Sequence, residues 1–277
     1  MTATVSFAVD SPAAGRRTVE VAYERSGTGA PLVLLHGIGH HRQAWDPVLR
    51  ILAAERDVIA VDLPGFGASP ALPDGLTYDL GTMVPVLGAF FDALGVVRPH
   101  VAGNSLGGLL ALELGREKLV RSVTALSPAG FWTRSERRYA FGVLRAMRGA
   151  ALSMPMPMIE RLSKSSPGRT ALTSTIYARP GRRSPDAVVS ETVALREATG
   201  FRQTLEAGLT VAFTDDVPDM PVTVAWGVKD RLLLRRQGVR AKQVIPGARL
   251  VRLPACGHVP MNDDPAAVAR VILDTSR

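Results

Sequence analysis

Gly103-Asn104-Ser105-Leu106-Gly107-Gly108 ends a segment that reads as a strand, Arg98-Pro-His-Val-Ala-Gly103, and opens a stretch with helical spacing from Leu106 to Arg116. Between a strand and a helix, glycine-x-serine-x-glycine describes a turn so sharp that the positions two residues either side of the serine must lack a Cβ or nearly so. The turn lifts the serine Oγ above the sheet and aims the first N–H groups of the helix at an oxygen beside it. Ser105 is therefore the candidate nucleophile. The same six residues also suit a glycine-rich turn without chemistry, so the rest of the chain must supply a base, an orienting acid and oxyanion donors.

Around this turn, short β-rich runs alternate with helical patterns, as in βαβ units about a mostly parallel sheet. Val19–Arg25, Pro31–Leu35, Asp57–Val61, Val120–Leu126, Pro221–Trp226 and Arg249–Leu253 read as further strands. Pro31-Leu-Val-Leu-Leu35 is apolar throughout, as a strand buried on both faces should be. Gln43–Glu55, Leu80–Leu94, Leu234–Val244 and Pro265–Leu273 read as helices, the second despite Pro85 and two glycines. The rhythm breaks between Ser127-Pro128 and about Asp219, where the texture is helical. Thr133-Arg-Ser-Glu136 matches a capping box, and the prolines of Met154-Pro-Met-Pro-Met158 stop a helix. The expected organisation is a core of residues 1–130 and 211–277 carrying a helical insertion, 131–210.

His258, in the glycine-flanked loop Pro254-Ala-Cys-Gly-His258-Val-Pro, follows the last strand and is the candidate base. Asp230, in Trp226-Gly-Val-Lys-Asp230, follows the preceding strand and is the candidate acid. His36-Gly-Ile-Gly39 ends the strand Pro31–Leu35, so the backbone N–H groups of Ile38 and Leu106 form the candidate oxyanion pair. The adjacent His40 and His41 lack metal-ligand spacing and read as a loop at the site mouth. Asp263 and Asp264 lie too close to His258 to orient it and read as caps of the last helix. No Walker-A sequence, dinucleotide fingerprint or metalloprotease motif occurs, and neither cofactor nor metal is expected.

With His36-Gly-Ile-Gly, Asp62-Leu-Pro-Gly-Phe-Gly-Ala-Ser, Gly103-Asn-Ser-Leu-Gly-Gly and Gly257-His-Val-Pro in this order, the chain resembles the serine-nucleophile members of the α/β-hydrolase fold superfamily. The resemblance runs from about residue 20 to the end, apart from the insertion. It implies an α/β fold, with a mostly parallel eight-stranded sheet flanked by helices, and makes 131–210 a helical cap over the site. It also implies that Asp62 is structural and that the order Ser105, Asp230, His258 is a catalytic triad. The expected activity is hydrolysis of a carboxylic ester or related acyl bond through an acyl-serine intermediate. A carbon–carbon bond hydrolase of a vinylogous diketone acid, of meta-cleavage-product type, is the alternative, and a silent ligand-binding protein a third.

The 277 residues are 46% hydrophobic and 21% charged, too apolar for a disordered chain. One cysteine, Cys256, excludes an intramolecular disulfide. The first residues lack the basic and apolar regions of a secretory signal, and the apolar stretch Val84–Val97 is broken by Pro85 and Asp92, so a cytoplasmic protein without a transmembrane segment is expected. Of the net charge of +8, the segment 131–210 carries +7, from 13 basic and 6 acidic residues. A basic field confined to one segment argues against nucleic acid as the partner. Together with Arg134, Arg137, Arg138, Arg182 and Arg183 it suggests a small-molecule acyl substrate, or a delivering surface, that is anionic. Met154, Met156 and Met158 offer either adaptable contact with acyl chains or filling for the insertion's own core.

Overall fold

The computed structural model describes residues 2–217 and 219–277. Its strands are β1 (Ala3–Ser11), β2 (Gly15–Ser26), β3 (Pro31–Leu35), β4 (Asp57–Val61), β5 (His100–Asn104), β6 (Ser122–Leu126), β7 (Val222–Gly227) and β8 (Arg249–Leu253). They form one sheet in the order β1-β2-β4-β3-β5-β6-β7-β8. The β1–β2 and β2–β4 pairs are antiparallel, and every other pairing is parallel. On the core lie helices α1 (Asp46–Ala53), α2 (Leu80–Ala93), α3 (Leu106–Arg116), α9 (Arg236–Val244) and α10 (Pro265–Thr275). The fold expected from the sequence is the one observed.

β3 is apolar throughout because helices cover both sheet faces. Along β3, Val33 and Leu35 enter the layer with α2 and α3, while Leu32 and Leu34 enter the layer with α1 and α10. Alternate residues face opposite ways, so burial on both sides requires an apolar residue at every position. α2 continues past Pro85, which sits on its exposed face, where the carbonyl deprived of a partner can reach water.

One strand escapes the reading of residues from Val19 onward. β1 pairs antiparallel with β2 from Ala3↔Tyr23 to Ser11↔Gly15, and completes the eight. Its signal is the alternation of Val5, Phe7 and Val9 with polar or small residues, half-buried as at a sheet edge. Between β6 and β7 the chain forms α4 (Arg134–Ser153), α5 (Met156–Ser163), α6 (Ser166–Thr173), α7 (Pro185–Glu197) and α8 (Phe201–Ala207). The Thr133–Glu136 capping box opens α4 as its spacing requires, and the break before α5 falls at Met154-Pro155. Among the described residues no helix is long and apolar enough to cross a membrane.

Candidate active site

The strand order reverses about β3: the chain crosses from β3 to β4 on one side, then returns to place β5 on the other. Loops leaving the carboxyl ends of β3 and β5 therefore splay apart and open a crevice, the usual ligand position in an open α/β sheet. The β3 loop carries Gly37 and Ile38, and the β5 loop carries Ser105.

Ser105 sits between β5 and α3 with φ 55 and ψ −113, a left-handed conformation that a side chain rarely adopts. The turn exists because its flanks are bare. A Cβ on Gly103 would lie 2.0 Å from the Gly107 carbonyl oxygen, and one on Gly107 would lie 2.1 Å from that of Leu35. Holding a non-glycine residue there costs on the order of 1–3 kcal/mol, which the surrounding packing must offset. Leu106 begins α3, so its N–H has no partner within the helix, and it lines a cavity together with Ile38 and Ser105.

His258 is buried, and its Nδ1 lies 2.8 Å from Asp230 Oδ2. The other Asp230 oxygen accepts the N–H groups of Leu232 and Leu233 at 2.9 and 2.8 Å, so the carboxylate cannot swing away. The two loops meet because β7 ends in Gly227, where a Cβ would come within 2.0 Å of the Gly257 carbonyl oxygen. His258 and Ser105 line one cavity. Thus all five expected residues, Ser105, Asp230, His258, Ile38 and Leu106, converge on the crevice.

Several supports of this arrangement were not read from sequence. Asn104 Nδ2 donates to the carbonyls of Leu126 and His258, at 3.0 and 2.9 Å, and ties the elbow to the histidine loop. The backbone of the helical segment holds that loop too: the N–H groups of His258 and Val259 donate to the Ile176 carbonyl. Asp264 caps α10 as expected, through the Ala267 N–H. Asp263 does not. Its carboxylate accepts the N–H groups of Gly257, Ala178 and Arg179, clamping the histidine loop to the residues after α6.

Asp62 behaves as a structural residue. It is fully buried, pairs with the Arg42 guanidinium, and accepts the N–H groups of Arg42 at 2.6 Å and Ala68 at 2.9 Å. His36 accepts the Leu63 N–H on Nε2, and burial holds its pKa below the ordinary value. His40 and His41 are interior rather than at a mouth, with stacked rings 5.4 Å apart. Burial, reinforced by neighbouring cations and imidazoles, lowers His41 to about 4 and His40 well below its usual value.

Two lobes meet at Ser105. The first, about 620 Å³, is walled by apolar side chains including Leu109, Trp132, Phe141, Leu205 and Leu233. The second, about 560 Å³, holds His258 and is bounded by His40, Met147, Ile176, Glu191 and Leu195. Asp79 and Glu191 are the acids on these walls, and among the described lining residues there is no lysine or arginine. Of the arginines singled out in the sequence, Arg134, Arg138 and Arg182 are exposed, and Arg183 is paired with Glu191. Neither lobe's wall includes Met154, Met156 or Met158, the methionines singled out in the sequence. Met154 lines a chamber within the helical segment that shares Met147, Ile176, Glu191 and Leu195 with the second lobe, and Met158 is exposed.

The model of the alpha/beta hydrolase family matches residues 32–271. The chain belongs to that family. It is 27% identical over 256 residues to Lipase 1 of Psychrobacter immobilis, covering 87% of this chain and 76% of that one. In structure it resembles a thermophilic esterase from Thermogutta terrifontis, with a TM-score of 0.76, 21% identity and coverage of 98% and 97% of the two chains. It is also similar to a meta-cleavage product hydrolase from Pseudomonas fluorescens IP01, with a TM-score of 0.73, 19% identity and coverage of 93% and 94%. Identities at this level carry the shared fold, and the chemistry of this member must come from its own site.

Proposed function

We propose that the chain is a carboxylic-ester hydrolase working through an acyl-serine intermediate on Ser105. The observation that carries the reading is a buried His258, held by Asp230 at 2.8 Å, sharing a cavity with a serine fixed on a strained elbow. Asp230 keeps the proton on His258 Nδ1, leaving Nε2 as the base. Ser105 Oγ attacks the ester carbonyl while its proton passes to Nε2. The carbonyl oxygen becomes an oxyanion facing the N–H groups of Ile38 and Leu106. As the tetrahedral intermediate collapses, the ester C–O bond breaks and His258 gives the proton to the departing alkoxide. Water, deprotonated by His258, then attacks the acyl-serine, the acid leaves and Ser105 Oγ recovers its proton. Protonation of the leaving group by His258 assigns the alcohol to the second lobe, which His258 lines, and the acyl chain to the first.

The helical segment 131–210 acts in this reading as the cap that roofs both lobes. The largely apolar walls of the first lobe, and the absence of lysine and arginine among the described lining residues, favour a neutral acyl ester over a diketone acid, whose carboxylate needs a positive partner. The test is turnover of a panel of acyl esters beside a vinylogous diketone acid. Ester hydrolysis with no cleavage of the diketone is expected. Cleavage of the diketone alone would transfer the same triad to carbon–carbon bond hydrolysis.

A further inference from the structure

α4 carries an apolar stripe at helical spacing, Val143, Ala146, Met147, Ala150, Ala151 and Met154, that lines a chamber of about 1100 Å³ within the helical segment. Ile159 of α5, Leu172 of α6 and Val188 of α7 wall its other sides. Thr173 and Thr192 give their hydroxyls to carbonyls of their own helices, and Glu191 is paired with Arg183, so alkyl groups dominate the surface. Helix interfaces are ordinarily close-packed. Here the alanines are too small to reach across, and Ala146, Ala150 and Ala171 are exposed, so the chamber opens outward. Inward it ends on the second lobe. The two share Met147, Ile176, Glu191 and Leu195, so the partition between them is one side chain thick. Leu195 spans it: a Cβ on Gly39, next to Ile38, would lie 2.6 Å from Leu195 Cδ1. Met147 is unbranched and half-buried, which makes it the yielding member of the partition.

We propose that this chamber is the outer half of the alcohol site and takes the alkyl tail of the departing alcohol past Met147. The substrate class is then an ester of a long-chain alcohol. This rests on the assignment of the second lobe to the alcohol, and so on the ester reading. The chamber adjoins the lobe that His258 lines, which makes its occupant part of the substrate rather than a separate partner. An alkyl tail is the occupant these walls suit. It gains burial and dispersion contacts along the α4 stripe, whereas a polar group would lose its hydration against them. A short alcohol ends within the second lobe and gains nothing from the chamber, so selectivity for chain length belongs to the alcohol side.

The test measures kcat/KM for ethyl, butyl, octyl and dodecyl butyrate, each below the concentration at which it aggregates, in the wild type, Ala150→Phe and Ala171→Phe. Both alanines are exposed and line the chamber but not the second lobe. In the wild type, dodecyl butyrate is expected to exceed ethyl butyrate by at least about tenfold, the effect of about 1.4 kcal/mol. In each variant that ratio is expected to fall several-fold, and a ratio is unaffected by the fraction of protein that folds. Ethyl esters of lengthening acids, from butyrate to dodecanoate, are expected to keep their profile in both variants. A wild-type alcohol ratio near one, with the short esters turned over, overturns the inference and leaves the ester hydrolase standing. The same holds if the ratio persists in either folded variant, or if the variants cut the advantage of long acyl chains instead. Should one variant fail to fold, the other and the wild-type ratio decide. Failure to hydrolyse any of the esters removes the ester reading itself, and this inference with it.

Discussion

Two aspartates follow strands in this chain, and replacing each with asparagine should have opposite consequences. Asp62 is fully buried, and the Arg42 side chain it faces is 8% exposed. Asparagine would keep the acceptor for the Arg42 N–H but set an NH₂ group against the Ala68 N–H and the guanidinium. The buried cation would lose its countercharge, which costs about 3–5 kcal/mol when one partner of a buried pair is removed. Against a typical stability of about 5–15 kcal/mol, that is a large share. Asp62→Asn should therefore unfold at much lower denaturant, while the folded fraction keeps its kcat. Adding Arg42→Met should restore part of the loss, because the stranded charge goes with it. Asp230→Asn should do the reverse. Its Oδ1 can still accept from Leu232 and Leu233, but an amide toward His258 Nδ1 favours the wrong tautomer, and kcat should fall by about 10⁴. Equilibrium denaturation with parallel active-site titration reads both quantities. If Asp62→Asn abolished kcat at unchanged stability, the structural role given to it here would be refuted.

Ser105→Gly should abolish turnover yet raise stability by about 1 kcal/mol, because glycine accepts φ 55 without the strain that serine carries; an unchanged or lower unfolding midpoint would count against a strained elbow. Acid should destabilise the fold. Burial lowers His41 and His100 to about 4 from an unfolded value near 6.5, so the unfolded chain binds more protons between those limits. Their contribution is complete above pH 6.5 and is lost as pH falls toward 4, at about 1.4 kcal/mol per unit for each group; denaturant midpoints constant from pH 7 to 4.5 would contradict it. The Cys256 thiol, which burial and the nearby Asp263 and Asp264 carboxylates push up to about 12, should resist alkylation at pH 8 until the protein unfolds, as mass spectrometry can follow.

What the sequence revealed is local or ordered along the chain. The elbow glycines, the Thr133 capping box and the order Ser105, Asp230, His258 each depend on residues a few positions apart or on a known succession of strands. β1 was also legible in principle, through Val5, Phe7 and Val9, but an edge strand buries only one face and so shows a weaker pattern. The supports of the site were not legible, because they join distant segments. Asn104 meets the His258 carbonyl, 154 positions away, and Asp263 meets Ala178, 85 positions away. The basic character of residues 131–210 misleads for the same reason. A charge count cannot say that Arg169 is spent on the carbonyls of Ser163 and Gly181, Arg196 on those of Ala151 and Met154, and Arg183 on Glu191. Nor can it say that an acid, rather than those arginines, faces the lobe beside His258.

Whether Ser105 is the nucleophile can be read directly by treating the folded protein with a fluorophosphonate and mapping the adduct by peptide mass spectrometry. One phosphonyl group on Ser105 is expected, absent in Ser105→Ala and formed far more slowly in His258→Ala. No adduct on the native fold, or an adduct on another residue that survives Ser105→Ala, would contradict the mechanism.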